Sequence, residues 1–209
     1  MKRAVLFDFD GTLFLKTEEI NLFCMNRALS EMGKPGLTPE QLLATVGATV
    51  NEISQVVLGQ DDSLKQDEFI TRVFLHLPEA IEAIAVLDDT VVLMLKELSR
   101  STKIAICSNA APDYLMPLLK KFDVEKYFSY IWSYRDGYNK TSAIPEIKRQ
   151  LQCKNAIMVG DRLEDVQAGR ANDCLTVAIR SGVGLQDAVG ADYTVYSHKE
   201  MLELLLKIV

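Results

Sequence analysis

Hydrophobic positions along the 209-residue chain fall into two kinds of pattern. Short, nearly continuous apolar runs rich in β-branched residues occur at 4–9, 103–107, 130–133, 156–159, 175–179 and 193–195. Continuous rather than alternating hydrophobicity marks strands covered on both faces. Between most of these runs, over 91–98, 113–122, 145–151 and 164–171, apolar residues recur at helical spacing. Strands and helices alternating at such short intervals predict βαβ units and an α/β fold with a doubly wound parallel sheet.

One interval breaks the rhythm. About 90 residues separate the first strand from the second, and they carry no strand pattern. Residues 17–32 place Ile20, Phe23, Cys24 and Ala28 at helical spacing and end at Gly33. Thr38-Pro39-Glu40-Gln41 supplies an N-cap, a proline at the first helical position and a capping-box partner. Ser63-Leu64-Lys65-Gln66 offers a second box, followed by Phe69, Val73 and Phe74 on one side. The expected organisation is an α/β core made of 1–13 and 88–209, with a helical cap over 14–87 inserted after the first strand.

Composition narrows the function classes. With 48% hydrophobic residues the chain can bury a sizeable core, and a formal charge of -6 disfavours a general binder of nucleic-acid backbones. No run reaches membrane-spanning length, and Asp8 and Asp10 interrupt the apolar stretch after Met1, so neither a membrane partner nor a leader is expected. Cys24, Cys107, Cys153 and Cys174 form no CxxC pair, which predicts reduced, mostly buried thiols in a cytoplasmic protein. Oligomeric state has no signature in the pattern.

The chemistry is concentrated where predicted strands end. In Val5-Leu6-Phe7-Asp8-Phe9-Asp10-Gly11-Thr12 two carboxylates stand at the carboxyl end of a buried strand, where open α/β sheets bind ligands. Such a pair repels itself and is costly to desolvate unless a cation or hydrogen bonds compensate. Taken alone it also reads as an aspartate-rich turn. A second strand ends in Gly160-Asp161-Arg162-Leu163-Glu164-Asp165, with Asp161 and Asp165 one helical turn apart. If the fourth strand lies beside the first, Asp8, Asp10, Asp161 and Asp165 converge, and an all-oxygen set without His or Cys suits Mg²⁺. Ser108 and Asn109 at the end of the second strand and Lys140 just before a helix add a hydroxyl, an amide and an ammonium, a set suited to a phosphoryl group.

Other motifs are absent or weak. There is no GxxxxGK[ST], and Gly182-Val183-Gly184 lacks the third glycine of a dinucleotide fingerprint. His76 and His198 stand in no HExxH or triad context. Trp132 and the tyrosines follow no basic stripe and read as packing residues, and Lys120-Lys121 reads as a solvated helix face.

These blocks, in this order and at these strand ends, closely resemble the haloacid dehalogenase superfamily from Val5 to Asp165, and within it phosphoglycolate-phosphatase-like or β-phosphoglucomutase-like members with a helical cap. The resemblance implies Asp8 as nucleophile, Asp10 as general acid and base, and Ser108, Asn109 and Lys140 as phosphate or substrate contacts. It further implies that Asp8, the Asp10 carbonyl and Asp161 hold Mg²⁺ with Asp165 in support, and that the cap closes over a small phosphorylated metabolite. Asp10 points to phosphoryl chemistry, since dehalogenases of this type lack the second acid. The alternatives are a phosphomutase and a non-catalytic regulator phosphorylated on Asp8. Three positions depart from the pattern: Leu15-Lys16 follows the first motif, Thr141 stands where proline is usual, and Arg162 replaces a small residue. Lys16 reads either as a contact to a substrate anion or as a solvent-facing hinge residue, and Arg162 either as an offset to the acids or as pointing outward.

Overall fold

The computed structural model describes residues 3–43, 50–59, 63–135, 137–180 and 189–209. Gly182-Val183-Gly184 lies outside them. The centre is a sheet of six parallel strands, β1 (Ala4–Phe7), β2 (Ile104–Cys107), β3 (Tyr130–Trp132), β4 (Ala156–Gly160), β5 (Leu175–Ile179) and β6 (Tyr193–Val195). Their order is β3-β2-β1-β4-β5-β6, with Val5 opposite both Ile104 and Ile157. The chain winds outward from β1 in both directions, so the turns leaving β1, β2 and β4 open together at the switch point of the sheet.

Alternate residues of the buried strands β1, β2 and β4 feed two hydrophobic layers, whereas the edge strand β6 exposes Tyr193 and Thr194. Val5, Phe7, Ile104, Ile106, Ile157 and Val159 pack on one face with α5 (Asp89–Ser101), α6 (Pro112–Lys121) and α9 (His198–Ile208). Ala4, Leu6, Ala105 and Met158 face the other way, against α7 (Lys140–Gln150) and α8 (Leu163–Ala171). At about 1.5–3 kcal/mol for each fully buried Val, Leu or Ile, this two-sided burial dominates the stabilisation and accounts for the unbroken apolar runs.

The interval after β1 is helical, as its pattern predicts, with α1 (Thr17–Glu31), α2 (Pro39–Leu43), α3 (Val50–Leu58) and α4 (Ser63–Ile84). Ile20, Cys24, Ala28 and Leu29 of α1 and Phe69, Val73 and Leu77 of α4 are buried in a cluster continuous with the first face of the sheet. The Thr38 box closes reciprocally, Thr38 N–H donating to Gln41 Oε1 at 2.9 Å and Gln41 N–H to Thr38 Oγ1 at 3.3 Å. Helix α4 starts at Ser63 itself, and the Gln66 amide turns back to donate to the Gly59 carbonyl. Among the described residues no helix is long and apolar enough to cross a membrane.

Two elements differ from their sequence patterns. The first apolar run extends to Phe9, but β1 ends at Phe7 because the Phe9 carbonyl accepts from the N–H groups of Leu13 and Phe14, folding the chain into a turn. Helix α7 begins five residues before Pro145, set by the Asn139–Ser142 capping box. Proline leaves the Thr141 carbonyl without its helical donor, and Asn172 Nδ2 supplies one at 2.9 Å from the end of α8 while also donating to the Ala168 carbonyl at 2.9 Å. Asn172→Ala is therefore expected to lower unfolding stability by about 1 kcal/mol in urea titrations. The loss should shrink in a Pro145→Ala background, where the restored backbone N–H at that position can serve the Thr141 carbonyl; equal losses in both backgrounds would refute the link.

Candidate active site

The turn after β1 is built to bring two acids to the sheet edge. Asp8 N–H still donates to the Val159 carbonyl at 2.8 Å, so Asp8 remains locked to β4. Gly11 then adopts φ 75°, a left-handed conformation that reverses the chain. A Cβ at Gly11 would lie 2.4 Å from Asp161 Oδ2, and one at Gly160 would lie 2.2 Å from Asp165 Cγ. Both glycines are places where backbone and carboxylate meet too closely for any side chain.

Asp8, Asp161 and Asp165 are all buried, and one carboxylate oxygen from each lies within 4.8 Å of the others. Lys140, the first residue of α7, is buried with them, its Nζ 3.0 Å from Asp8 Oδ1 and 2.7 Å from Asp165 Oδ1. Two unit charges about 4 Å apart interact by about 4 kcal/mol at an effective dielectric of about 20, so one ammonium cannot offset three mutually repelling carboxylates. Burial would lower the Lys140 pKa, but Asp165 and Asp8 overcome it and hold the ammonium charged. Burial, reinforced by Asp8 and Asp165, raises Asp161 to about 7. Asp165 is raised to about 6 by burial and by Asp8, against the opposing pull of Lys140. Thr12 Oγ1 donates to Asp161 Oδ1 at 3.2 Å, and Arg162 N–H donates to Asp165 Oδ2 at 3.1 Å.

Asp10 stands apart from this cluster, partly exposed beside a cavity of about 90 Å³. Thr17, at the start of α1, donates to Asp10 Oδ1 at 2.6 Å, and the Tyr114 hydroxyl donates to the same oxygen at 3.1 Å. Oδ2 has no protein donor among the described residues. Burial, with the charge of Asp8, outweighs these two hydrogen bonds and raises Asp10 to about 7. A carboxyl group near half-protonation at neutral pH is suited to proton transfer.

The remaining predicted residues surround this arrangement. Ser108, buried after β2, accepts from Ala110 N–H at 3.2 Å and keeps its own hydroxyl proton available. Asn109 lines the cavity and donates to both oxygens of Glu164, at 3.2 and 3.3 Å. Lys16 pairs on the surface with Glu19 at 2.7 Å, matching the solvent-facing reading. Arg162 is half-buried at the start of α8, where its backbone amide holds Asp165.

Four residues were not singled out by their local sequence. Thr12 follows the acidic motif, so its hydroxyl was a legible candidate. Tyr114, read as packing, is 104 residues from its partner Asp10, and no local signal marks it. Thr17 was legible only as part of an amphipathic helix. His198, buried in α9, contacts the Thr12 carbonyl at 2.9 Å through Nε2 and Asp88 Oδ2 at 3.1 Å through Nδ1. Asp88 is also the N-cap of α5, so one imidazole ties the turn after β1 to the start of the chain's return to the sheet.

Comparison with known proteins places this geometry in a family. A sequence profile of haloacid dehalogenase-like hydrolases matches residues 5–179. The chain belongs to that family. This haloacid dehalogenase-like hydrolase is 25% identical to a phosphoglycolate phosphatase of Chromobacterium violaceum, over 97% of this chain and 96% of the relative. It is 24% identical to a phosphoglycolate phosphatase of Aquifex aeolicus, again over 97% and 96%. A predicted phosphoglycolate phosphatase from Haemophilus somnus has the same fold, with a TM-score of 0.86 at 17% identity and 97% of each chain covered. The family member described here is thus a phosphoglycolate-phosphatase-like hydrolase with the expected α/β architecture.

Two outcomes follow from this packing. Gly11→Ala is expected to cost about 2 kcal/mol or more in urea unfolding, through positive φ and the clash with Asp161, and Gly160→Ala a similar amount. Asp10, Asp161 and Asp165 bind protons more tightly in the folded chain than in the unfolded one, where their ordinary value is 3.8. In EDTA buffer these three groups should therefore contribute a loss of stability as pH rises from about 4 to about 7, and Asp161→Asn should remove part of that loss. An Asp161→Asn variant with the same pH slope as the unmodified chain would contradict the assigned burial.

Proposed function

We propose that this hydrolase is a Mg²⁺-dependent phosphatase acting on a small phosphorylated metabolite, of the phosphoglycolate or sugar-phosphate class, through an aspartyl-phosphate. The observation that carries the reading is the division of labour on one turn: Asp8 is ion-paired to Lys140 in the acidic cluster, whereas Asp10 faces the cavity with a raised pKa. Two carboxyl groups held in different environments are how one site runs both nucleophilic and acid–base chemistry.

The donor set fits the cation. Asp8 and Asp161 carboxylates and the Asp10 backbone carbonyl are its ligands in this reading, with Asp165 in support; all are hard oxygen donors, and Asp8, Asp161 and Asp165 form a cluster with surplus negative charge. Bound there, Mg²⁺ supplies charge neutralisation for the phosphoryl group and orients it. Asp8 attacks phosphorus, and the bond to the leaving oxygen breaks as Asp10 donates its proton to that oxygen. Lys140 and the Ser108 hydroxyl hold the phosphoryl oxygens, and Asn109 meets the substrate at the cavity wall. Asp10, now a carboxylate, takes a proton from the water that hydrolyses the acyl phosphate and returns Asp8. Residues 14–87 act as the cap, which limits water access during the first step, over a core of 1–13 and 88–209. Free cysteines at Cys24, Cys107, Cys153 and Cys174 support a cytoplasmic setting.

Phosphate release from p-nitrophenyl phosphate and a metabolite panel tests the reading. With Mg²⁺ turnover is expected, EDTA should abolish it, and Asp8→Asn should lower it by at least about 10³-fold. Full activity in Asp8→Asn, or turnover insensitive to EDTA, would sink the mechanism. A phosphosugar isomerised without phosphate release would instead indicate the mutase. Mg²⁺ should also raise the melting temperature more at pH 8 than at pH 5.5, because at the lower pH it competes with protons on Asp161 and Asp165.

A further inference from the structure

We propose that the alcohol released by this enzyme is small, partly apolar and free of anionic groups, so that the substrate carries no second negative charge. The inference rests on the phosphatase reading and, among the small phosphorylated metabolites, narrows the substrate away from phosphoglycolate and toward short phosphate esters without a second anion. The cavity beside Asp10 lies between the helical insert and the core, and its volume of about 90 Å³ suits a leaving group of a few heavy atoms. From the insert, Met25, Ile53, Val73, Phe74 and Leu77 line it. Its hydrogen-bonding groups, apart from Asp10 itself, are neutral: Asn21, Asn109 and the Tyr114 hydroxyl. No Lys, Arg or His is among the described residues that line it. The Cys24 thiol in the wall is pushed up to about 12 by burial and by Glu79, so it stays neutral too.

The surroundings reinforce this selection. Residues 14–87 contain eleven acidic and five basic residues, a balance of -6 that equals the charge of the whole chain. Lys16 is turned to Glu19, Arg27 to Glu79, and Arg72 to Glu31 and Glu68. The groove adjoining the cavity through Asn109 is bordered by Glu52 and Glu164. A substrate carboxylate or second phosphate in this cavity would lose its water beside Asp10 without gaining a cation, which selects against it. A hydroxyl has partners: the Asn21 side-chain amide makes no protein hydrogen bond among the described residues, and Asn109 retains its oxygen after donating to Glu164. Lys140 is committed to the phosphoryl end of the site by Asp8 and Asp165.

The test compares esters that differ in the charge at the far end. With the full chain and Mg²⁺, kcat/KM is measured for propyl phosphate, glycerol phosphate, phosphoglycolate and p-nitrophenyl phosphate. Propyl or glycerol phosphate is expected to exceed phosphoglycolate by at least about tenfold, mainly through KM. Asn21→Lys should raise the phosphoglycolate to propyl phosphate ratio by about tenfold by placing an ammonium in the cavity wall. Preference of the unmodified protein for phosphoglycolate over both neutral esters overturns the proposal and leaves the phosphatase reading standing. Absence of turnover on every ester, p-nitrophenyl phosphate included, removes the phosphatase reading and this proposal with it.

Discussion

The ammonium of Lys140 lies 3.0 Å from Asp8 and 2.7 Å from Asp165, with all three side chains buried. Buried charges persist only when paired and hydrogen-bonded, and here a single cation pairs with two carboxylates while a third acid, Asp161, lies beside them. The Asn139–Ser142 capping box fixes where α7 begins and so delivers Lys140 to its place. Parallel pairing of β1 with β4 delivers the acids, Asp8 at the end of one strand and Asp161 and Asp165 just beyond the other. The two glycines give these carboxylates room against the backbone, and Thr12 and the Arg162 amide complete their hydrogen bonds. Negative charge left over after Lys140 makes the cluster a place for a divalent cation, on the reading proposed above.

Asp10 belongs to the same turn yet meets a different environment. Its side chain leaves the cluster for the boundary between sheet and helical insert, where Thr17 from α1 and Tyr114 from α6 hold it by one oxygen. The insert shares one hydrophobic cluster with the first face of the sheet, so the position of α1 relative to Asp10 is set by packing as well as by covalent connection. His198 adds a tie between the turn after β1 and the cap of α5, the two places where the chain leaves and regains the sheet. Geometry at Asp10 therefore depends on the fit between the insert and the core.

Much of this was legible because strand ends carry their chemistry locally. Asp8 and Asp10, and Asp161 and Asp165, sit within a few residues of one another, and βαβ handedness and strand order bring the two groups together. Helix starts with capping residues were legible for the same local reason, as at Thr38. The helical pattern over 145–151 starts later than α7 itself, because proline disfavours a helix interior locally, while the donor that makes Pro145 tolerable, Asn172, comes from a different helix. Tyr114 and His198 carried no signal, since their partners are 104 and 110 or more residues away and their roles exist only once the helices pack.

By itself the sequence determined the alternation of strands and helices, the long helical interval and the acids at two strand ends, because hydrophobic periodicity and turn chemistry act over a few residues. The family resemblance, borne out by the match over residues 5–179, added what those residues do in relatives. Only the tertiary structure decided which charges meet, which acid is raised by burial, and that the cavity beside Asp10 is walled by apolar and neutral side chains. Desolvation and long-range pairing are properties of packed neighbours from distant parts of the chain, and a linear pattern contains no distances between them.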